Sequence, residues 1–304
     1  MKLRDFRIGW RLLIQEPAYS AVVVFGLALG FAVCFLLLGF VRYSFDYNKH
    51  VPDADRVFVI KSIFHFPGME PNWGAASSLA ARNAVLTAGL PLQATAFIPQ
   101  AGTSVRVGDV VSAVDFVMVD PSFTKVFGVK ALAGDLDATL ARPDTIALTQ
   151  ETALRLFQDV NVLGRTLQVN GKTHTVTAIV ADPPANTTTP YAALANVKGS
   201  IFPDEAREST EENWGSMSGA VYLRLQPGLQ PAIVAKSLND ALGRSPWHTA
   251  IPAEMKRSLN GTNMIEMQLG ALADAYLDPQ VAATADPNTH GDQKTILGLA
   301  ATGL

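Results

Sequence analysis

The histidines and carboxylates of this sequence could do acid–base or metal chemistry, but their spacing does not favour either. No histidine lies within five positions of another and there is no His-Glu-x-x-His pattern; the five stand at His50, His65, His174, His248 and His290. Two acidic pairs, Asp53 with Asp55 and Glu211 with Glu212, are typical of solvated loop charges rather than of a general acid and base. We therefore expect no catalytic residue, no cofactor site and no metal site in this chain.

Two short motifs resemble catalytic loops without meeting their requirements. Gly171-Lys172-Thr173 has the end of a phosphate-binding loop, but the first glycine of such a loop would fall at Thr166. The same motif follows Asn170 inside an alternating apolar pattern, where Asn-Gly predicts a hairpin turn. Residues 215–219 place Met217 where a nucleophile elbow has serine. Nucleotide binding and serine hydrolysis are therefore not expected.

An uncharged stretch runs from Ala18 to Val41, and the location of the rest of the chain depends on it. At about 1.5 Å per residue a helix of this length covers roughly 36 Å, enough to cross a hydrocarbon core of about 30 Å. The stretch is longer than the apolar core of a secretion signal and lacks a small-x-small cleavage site. We predict a transmembrane helix over 18–43. Cys34, the only cysteine, lies inside it, so the outer domain has no disulfide.

The residues before this stretch predict its orientation. Basic residues outnumber acidic ones here, which places the N-terminus in the cytoplasm and the rest of the chain outside. Apolar residues recur at spacings of 3, 4 and 3, and Arg7 and Arg11 lie largely off the face that includes Trp10. We predict that residues 1–17 form a cytoplasmic amphipathic helix on the membrane lipid, with Pro17 as the joint. The alternative is a basic flank that only orients the span.

Two features indicate that the transmembrane helix has membrane neighbours. Gly26 and Gly30 form a G-x-x-x-G pair, which lets another helix approach closely. Residues 295–304 are apolar but too short to span a bilayer. We predict that they begin a second transmembrane helix; the alternative is a frayed apolar tail.

The charge balance excludes one class of partner. The whole chain has a net charge of −3, and residues 1–43 carry five basic and two acidic residues, so the remainder carries −6. A mildly acidic outer domain has no electrostatic footprint for nucleic acid.

Residues 44–294 alternate strands and helices, which predicts an α+β outer domain. Strands are predicted at 56–64, 92–99, 219–227 and 264–272, and helices at 77–88 and 229–243. Two such βαβ-like units commonly make a split sandwich. We therefore predict a two-lobed domain: a porter-like lobe of residues 56–101 and 216–273, and an inserted β-rich lobe of residues 102–215. A short helix over 120–128 is predicted to begin with an Asp120 cap.

Several aromatic residues near loops could grip a partner protein or an amphiphilic cargo. They are Phe64, Phe66, Trp73, Trp214 and Trp247. The alternative is that these side chains pack between the lobes.

The residues after the apolar stretch resemble a known family. VRYSFDYNKHVPDADRVFVIK (Val41–Lys61), directly after a helix with GLALG, is similar to the start of the periplasmic core domain of MacB-like permeases, which belong to the FtsX-like group of ABC transporters. VDPSFTKVFGVKALAGD (Val119–Asp135) resembles that domain's Asp-Pro-x-Phe signature before a short helix and a Gly-Asp pair. DTIALTQETALRLFQDVNVLGRTLQVNGKTHTVTAIVADPP (Asp144–Pro184) continues the similarity. The chain departs at Gln150, where an acidic residue is common, and at the Phe157-Gln158-Asp159 junction, which lacks the usual glycine.

The resemblance implies a permease subunit without ATPase activity of its own. A partner ATPase would bind ATP with Mg²⁺, and the permease, as a homodimer, would carry that motion to the periplasmic domain. The work done there would be the export or extraction of a lipoprotein, peptide or drug-like cargo, with a possible periplasmic adaptor. The chain would lie in the bacterial inner membrane. The alternatives are an extracytoplasmic sensor or ligand-binding module on a membrane anchor, and a membrane-tethered enzyme.

Overall fold

The computed structural model describes residue 15 and residues 17–66, 68, 70–259, 261–281 and 290–302. The chain divides into two compact units: Met1–Asp46 together with Asp292–Leu304, and Tyr47–Gly291. The predicted amphipathic helix, with Arg7, Trp10 and Arg11, lies outside the described residues.

The first unit contains a long apolar helix, α1, which runs from Pro17 to Phe45. By length and composition it can cross a membrane, and no other helix among the described residues passes this test. Its apolar side chains are exposed within the chain, as expected of a helix whose surroundings are lipid. A second helix, α10 (Gln293–Thr302), contacts α1 within this unit. That α10 begins a further transmembrane helix stays a prediction.

The second unit is built on one sheet, in which the described residues form eleven strands. The strands are β1 Val57–Phe64, β2 Asn72–Gly74, β3 Leu92–Val107, β4 Val110–Val119, β5 Ala131–Gly134, β6 Thr145–Thr149, β7 Thr166–Val169, β8 Lys172–Val180, β9 Ala193–Asn196, β10 Ala220–Leu225 and β11 Ile265–Ala271. Their order is β11-β1-β10-β3-β4-β9-β6-β8-β5. Strand β2 pairs with β1, and β7 pairs with both β3 and β8.

Short helices connect these strands. They are α2 Leu79–Thr87, α3 Phe123–Phe127, α4 Leu136–Leu140, α5 Gln150–Phe157, α6 Asp204–Glu212, α7 Pro231–Arg244, α8 Pro246–Thr249 and α9 Ala253–Ser258, with 3-10 turns at Ala54–Arg56 and Leu272–Asp274. Serine and threonine side chains cap three of them, including α8, where the Ser245 hydroxyl accepts from the His248 N–H. The Ser78 hydroxyl accepts from the Ala81 N–H at the start of α2, and Thr149 does the same for Thr152 at α5. The N-terminal turn of α7 begins with Pro231, a position that needs no N–H partner.

The predicted split βαβ arrangement is confirmed at one end of the sheet. The units β1-α2-β3 and β10-α7-β11 interleave in the antiparallel order β11-β1-β10-β3. Successive residues of β1 face opposite sides, as the period of a strand requires. Val57 and Val59 enter one core cluster, whereas Ile60 packs in another with apolar residues of α2 and α7.

The other half of the sheet contains the predicted hairpin. Asn170 and Gly171 have φ angles of 51° and 72° between β7 and β8, which are the left-handed values that a two-residue hairpin needs. Gln158 directly follows helix α5, and its φ is 55°. A glutamine therefore takes the left-handed position that glycine usually occupies at the end of a helix. The sheet runs through both halves without a break. The boundaries predicted between two lobes stay a prediction.

The Asp120 cap is a wrong prediction. Ser122 is the residue that precedes α3, and its side chain makes no capping bond. The Asp120 carboxylate instead accepts from the Ala96 N–H and from Arg82 Nη1, both at 2.7 Å. The physical reason is the sheet: Asp120 directly follows β4 and lies beside β3, where the Ala96 N–H and the buried Arg82 guanidinium of α2 are closer than the helix amides.

Replacing Arg82 with alanine is expected to lower the free energy of unfolding by about 3 kcal/mol, because the largely buried Asp120 carboxylate loses its ion partner. Urea unfolding of the full chain in detergent, followed by tryptophan fluorescence, measures this. The control is Lys236→Ala, which removes an exposed pair with Asp240 and should leave stability unchanged. Equal effects of the two substitutions would contradict the role given to Arg82.

Gly134→Ala is expected to destabilise the fold by about 3 kcal/mol, because φ is +79° and an added Cβ would collide with the Thr177 carbonyl oxygen. Gly171→Ala is the matched control: its φ is +72°, but nothing lies within 4 Å of an added Cβ. Strain alone should cost about 1 kcal/mol there. The same urea titration compares them, and a Gly134 effect no larger than that of Gly171 would show that the collision is relieved.

Candidate functional site

The segment that follows the long helix in the chain is the candidate site; we call residues 47–56 the joining segment. Tyr47 is buried, and its ring stacks on that of Tyr276 with centroids 3.5 Å apart and planes 12° apart. Stacked aromatic pairs add about 0.5–1.5 kcal/mol beyond the area they bury. The first residue of the second unit is therefore fixed to a residue 229 positions later in the sequence.

Asn48 extends this attachment through a fully buried side chain. Its Nδ2 donates to the Leu272 carbonyl at 2.8 Å, and its Oδ1 accepts from the Thr188 N–H at 2.9 Å. The hydroxyls of Thr187 and Thr188 also donate to Oδ1. The Asn48 side chain must donate on one side, to a carbonyl, and accept on the other side, from an N–H and two hydroxyls. Only a carboxamide of this size does both. Asn48 also has a φ of 60°, which asparagine tolerates better than most residues.

The rest of the joining segment is held by α3 and β10. Pro52 packs on Gly128, where a Cβ would be 2.9 Å from Pro52 Cδ. Arg224 Nη2 donates to the Pro52 carbonyl at 2.6 Å, and Arg224 Nε donates to the Val126 carbonyl at 2.9 Å. Burial lowers the pKa of the Arg224 guanidinium, and the Asp53 carboxylate opposes this shift. Arginine stays charged in proteins, so these contacts act as a permanent anchor.

A small cavity of about 210 Å³ lies between the joining segment, α3 and the loop of residues 182–191. Phe123 and Tyr191 line it and make an edge-on aromatic contact with centroids 6.1 Å apart. Burial, with a contribution from Asp182, raises the pKa of Tyr191 to about 12, so its phenol is neutral at physiological pH. The cavity is smaller than those that hold drug-sized ligands. It lies directly beside the joining segment, whose residues His50, Val51 and Pro52 line it.

The structure divides the predicted contact aromatics into different environments. Phe66 is 42% exposed, and its ring stacks on that of half-buried Phe64. Trp73 lies close by on β2, which pairs with the end of β1 that contains Phe64. Trp214 is only 6% exposed and belongs to the core cluster under α2 and α7, so the prediction of a surface contact is wrong for this residue. Trp247 is half-buried against the same cluster. Burial of the large apolar side chain of Trp214 in the core stabilises the fold more than its exposure at the surface would.

The predicted helix-packing residues lie on α1, which begins at Pro17. Around both Gly26 and Gly30, nothing lies within 4 Å of an added Cβ. Both glycines are therefore open to a neighbour from another chain or from another part of the membrane region. Their role in packing stays a prediction.

Three of the titratable groups considered in the sequence have partners in the structure, namely Asp53, Glu211 and His174. Among the described residues, no group of three or more His, Cys, Asp or Glu side chains could hold a metal ion. Asp53 pairs with Arg56 at 2.7 Å, and Glu211 lies 3.6 Å from Arg82. His174 is buried beside the Ser200 hydroxyl, and burial lowers its pKa.

Sequence reasoning missed the residues that hold the joining segment. Asn48, Tyr276 and Arg224 bond to partners between 98 and 229 positions away, so no local pattern marks them. The one available signal was the run Asn186–Thr189, whose three threonines are unusual for an exposed loop and are in fact buried.

Known proteins share this architecture. The sequence matches the family described as MacB-like periplasmic core domain over residues 20–241. The fold of this chain is similar to that of a domain of a protein assigned as a permease from Porphyromonas gingivalis. The TM-score is 0.60 and the sequence identity is 20%, and the match covers 73% of this chain and 91% of that chain.

Two further solved structures are more distant. The periplasmic region of MacB from Actinobacillus actinomycetemcomitans has a TM-score of 0.47 and 14% identity, covering 74% of this chain and 92% of that one. The extracellular domain of the noncanonic ABC-type transporter YknZ from Gram-positive bacteria has a TM-score of 0.45 and 10% identity, covering 70% and 99%. No match was found among curated protein sequences.

The family match extends from the second turn of α1 to the last turn of α7. It thus includes the long helix, the joining segment, strands β1 to β10 and most of the helices between them. The chain therefore belongs to the family of MacB-like periplasmic core domains, which are found in the permeases of ABC transporters.

Proposed function

We propose that this chain acts as the permease subunit of a MacB/FtsX-like ABC transporter and carries motion from a cytoplasmic ATPase to the outer domain. The observation that carries the proposal is the joining segment. Helix α1 ends at Phe45, and Tyr47 and Asn48 are already buried and bonded in the second unit. A connection this short has none of the slack of a flexible linker, which favours the transfer of displacement.

The partners follow from the family and the charge pattern. ATP with Mg²⁺ is bound and hydrolysed by a separate ATPase subunit, and this chain contributes no catalytic residue. The permease works as a homodimer in the lipid of the bacterial inner membrane, with its N-terminus in the cytoplasm and the second unit in the periplasm. Nucleic acid is not a partner.

The cargo is a lipoprotein, peptide or drug-like molecule, with a periplasmic adaptor as a further partner. The aromatic residues that keep exposed area, Phe66 above all, suit contact with such a molecule. Phe64 and Trp73 lie beside Phe66 in half-buried positions, and Trp247 is a further half-buried candidate for this contact.

Affinity purification of the full chain from its native membranes tests the proposal directly. We expect a second protein to co-purify and the eluate to hydrolyse ATP in a Mg²⁺-dependent manner. The control replaces the lysine of that protein's phosphate-binding loop, which should abolish hydrolysis and leave co-purification intact. Co-purification of a signalling kinase, without ATP-hydrolysing activity, would instead favour the sensor alternative.

The double substitution Gly26→Leu/Gly30→Leu is expected to weaken helix association at least tenfold, which corresponds to about 1.4 kcal/mol, because leucine prevents close backbone approach. Cross-linking of the full-length chain in membranes measures association, and ATP hydrolysis of the complex measures coupling. The matched control is Val24→Leu/Ala28→Leu, on the opposite face of α1. Wild-type association and hydrolysis in the glycine variant would refute the packing role.

A further inference from the structure

The two ends of the second unit meet at one residue, Tyr276. Tyr47, at the start of the unit, stacks on the Tyr276 ring. Gly291, at its end, donates its N–H to the Tyr276 carbonyl at 2.8 Å. A Cβ at Gly291 would be only 2.5 Å from Tyr276 Cε1, so the backbone of residue 291 lies directly against the ring. The chain therefore begins and ends this unit against the same side chain.

Tyr276 itself stands on a firmly packed support, the return loop of residues 272–281. Leu272 is fully buried, and Val281 also lies in the core. Lys61 of β1 reaches this loop and donates to Asp278 at 3.1 Å and to Gln280 at 2.6 Å. The loop is thus bonded to β1, and it cannot shift without disturbing a buried lysine.

Asn48 connects this assembly to the other half of the sheet. Its Nδ2 bonds to Leu272 in the return loop, and its Oδ1 accepts from Thr188 in the 182–191 loop. Its own N–H donates to the Asn186 carbonyl at 3.0 Å. The 182–191 loop lies between β8 and β9, which belong to the part of the sheet beyond β3. One side chain therefore links the start of the unit to both halves.

We infer that Tyr276 and Asn48 form a clamp. The clamp makes Tyr47 and Gly291, the two ends of the second unit, move together. It also passes their displacement to the 182–191 loop. Both are positioning residues. This inference rests on the proposed function, because it assumes that the helix next to Tyr47 is displaced during the ATPase cycle. It adds the route by which that displacement reaches the distal half of the sheet.

Hydrogen exchange of the full chain, in nanodiscs with its co-purified ATPase, tests the clamp. Exchange is compared between the nucleotide-free state and the state trapped with ATP and vanadate. In the wild type, peptides covering 182–191 should differ between the two states. Tyr276→Ala and Asn48→Ala should lose that difference while peptides of α1 keep theirs. A merely structural role would change exchange equally in both states and leave the difference between them intact.

Two further variants keep the test decisive. Tyr276→Phe preserves the stacked ring and should behave as the wild type. Gly291→Ala leaves both Tyr276 and Asn48 unsubstituted but forces the Tyr276 ring aside, so it serves if Asn48→Ala does not fold; it should reduce the nucleotide-dependent difference at 182–191. Protection of β1 and β3 amides reports whether each variant is folded.

The outcomes separate the two levels of the proposal. Folded Tyr276→Ala and Asn48→Ala chains that keep the wild-type difference at 182–191 would overturn the clamp and leave the transporter function standing. A wild-type complex with no nucleotide-dependent difference in α1 or in the second unit would overturn the proposed coupling, and the clamp with it.

Discussion

The fold depends on strand β3, because both halves of the sheet use it. Residues 92–97 pair with β10 along one edge, and Val105 and Arg106 pair with β7 farther along that edge. The opposite edge pairs with β4 from Phe97 to Val107. Buried backbone groups must be hydrogen-bonded, so the two halves cannot separate without losing this ladder. The ladder is irregular only between Gln100 and Thr103, where a bulge interrupts the register.

The motif by which the sequence resembles its family acts on this shared strand. Asp120 accepts from the β3 amide of Ala96 and from Arg82, and so joins β3, the end of β4 and helix α2. Phe123 is fully buried in the core below them. Gly134 passes so close to Thr177 that no side chain fits. Packing and hydrogen bonding therefore explain the residues that form this recognisable pattern.

The contacts of the joining segment are the observations on which the proposed function rests. The joining segment is held by a stacked ring, a buried carboxamide and an arginine that bonds two carbonyls. Each of these contacts is specific in direction, unlike the non-directional apolar core around it. Directional bonds at a short connection limit how the segment can move, which is what the transfer of force between a membrane helix and a sheet requires.

The sequence by itself determined the elements whose pattern is local. The apolar run predicted α1, the alternating residues predicted β1, β3, β10 and β11, and Asn170-Gly171 predicted the hairpin, because propensity and burial period act over a few neighbouring residues. Tertiary structure alone decided which partner Asp120 takes, that Trp214 is buried, and that Asn48 bonds to Thr188 and Leu272. Those contacts join residues 38 to 224 positions apart or depend on which face of the sheet a helix covers. Such pairings arise only when strands far apart in the sequence take their places in the sheet, so no local pattern can encode them.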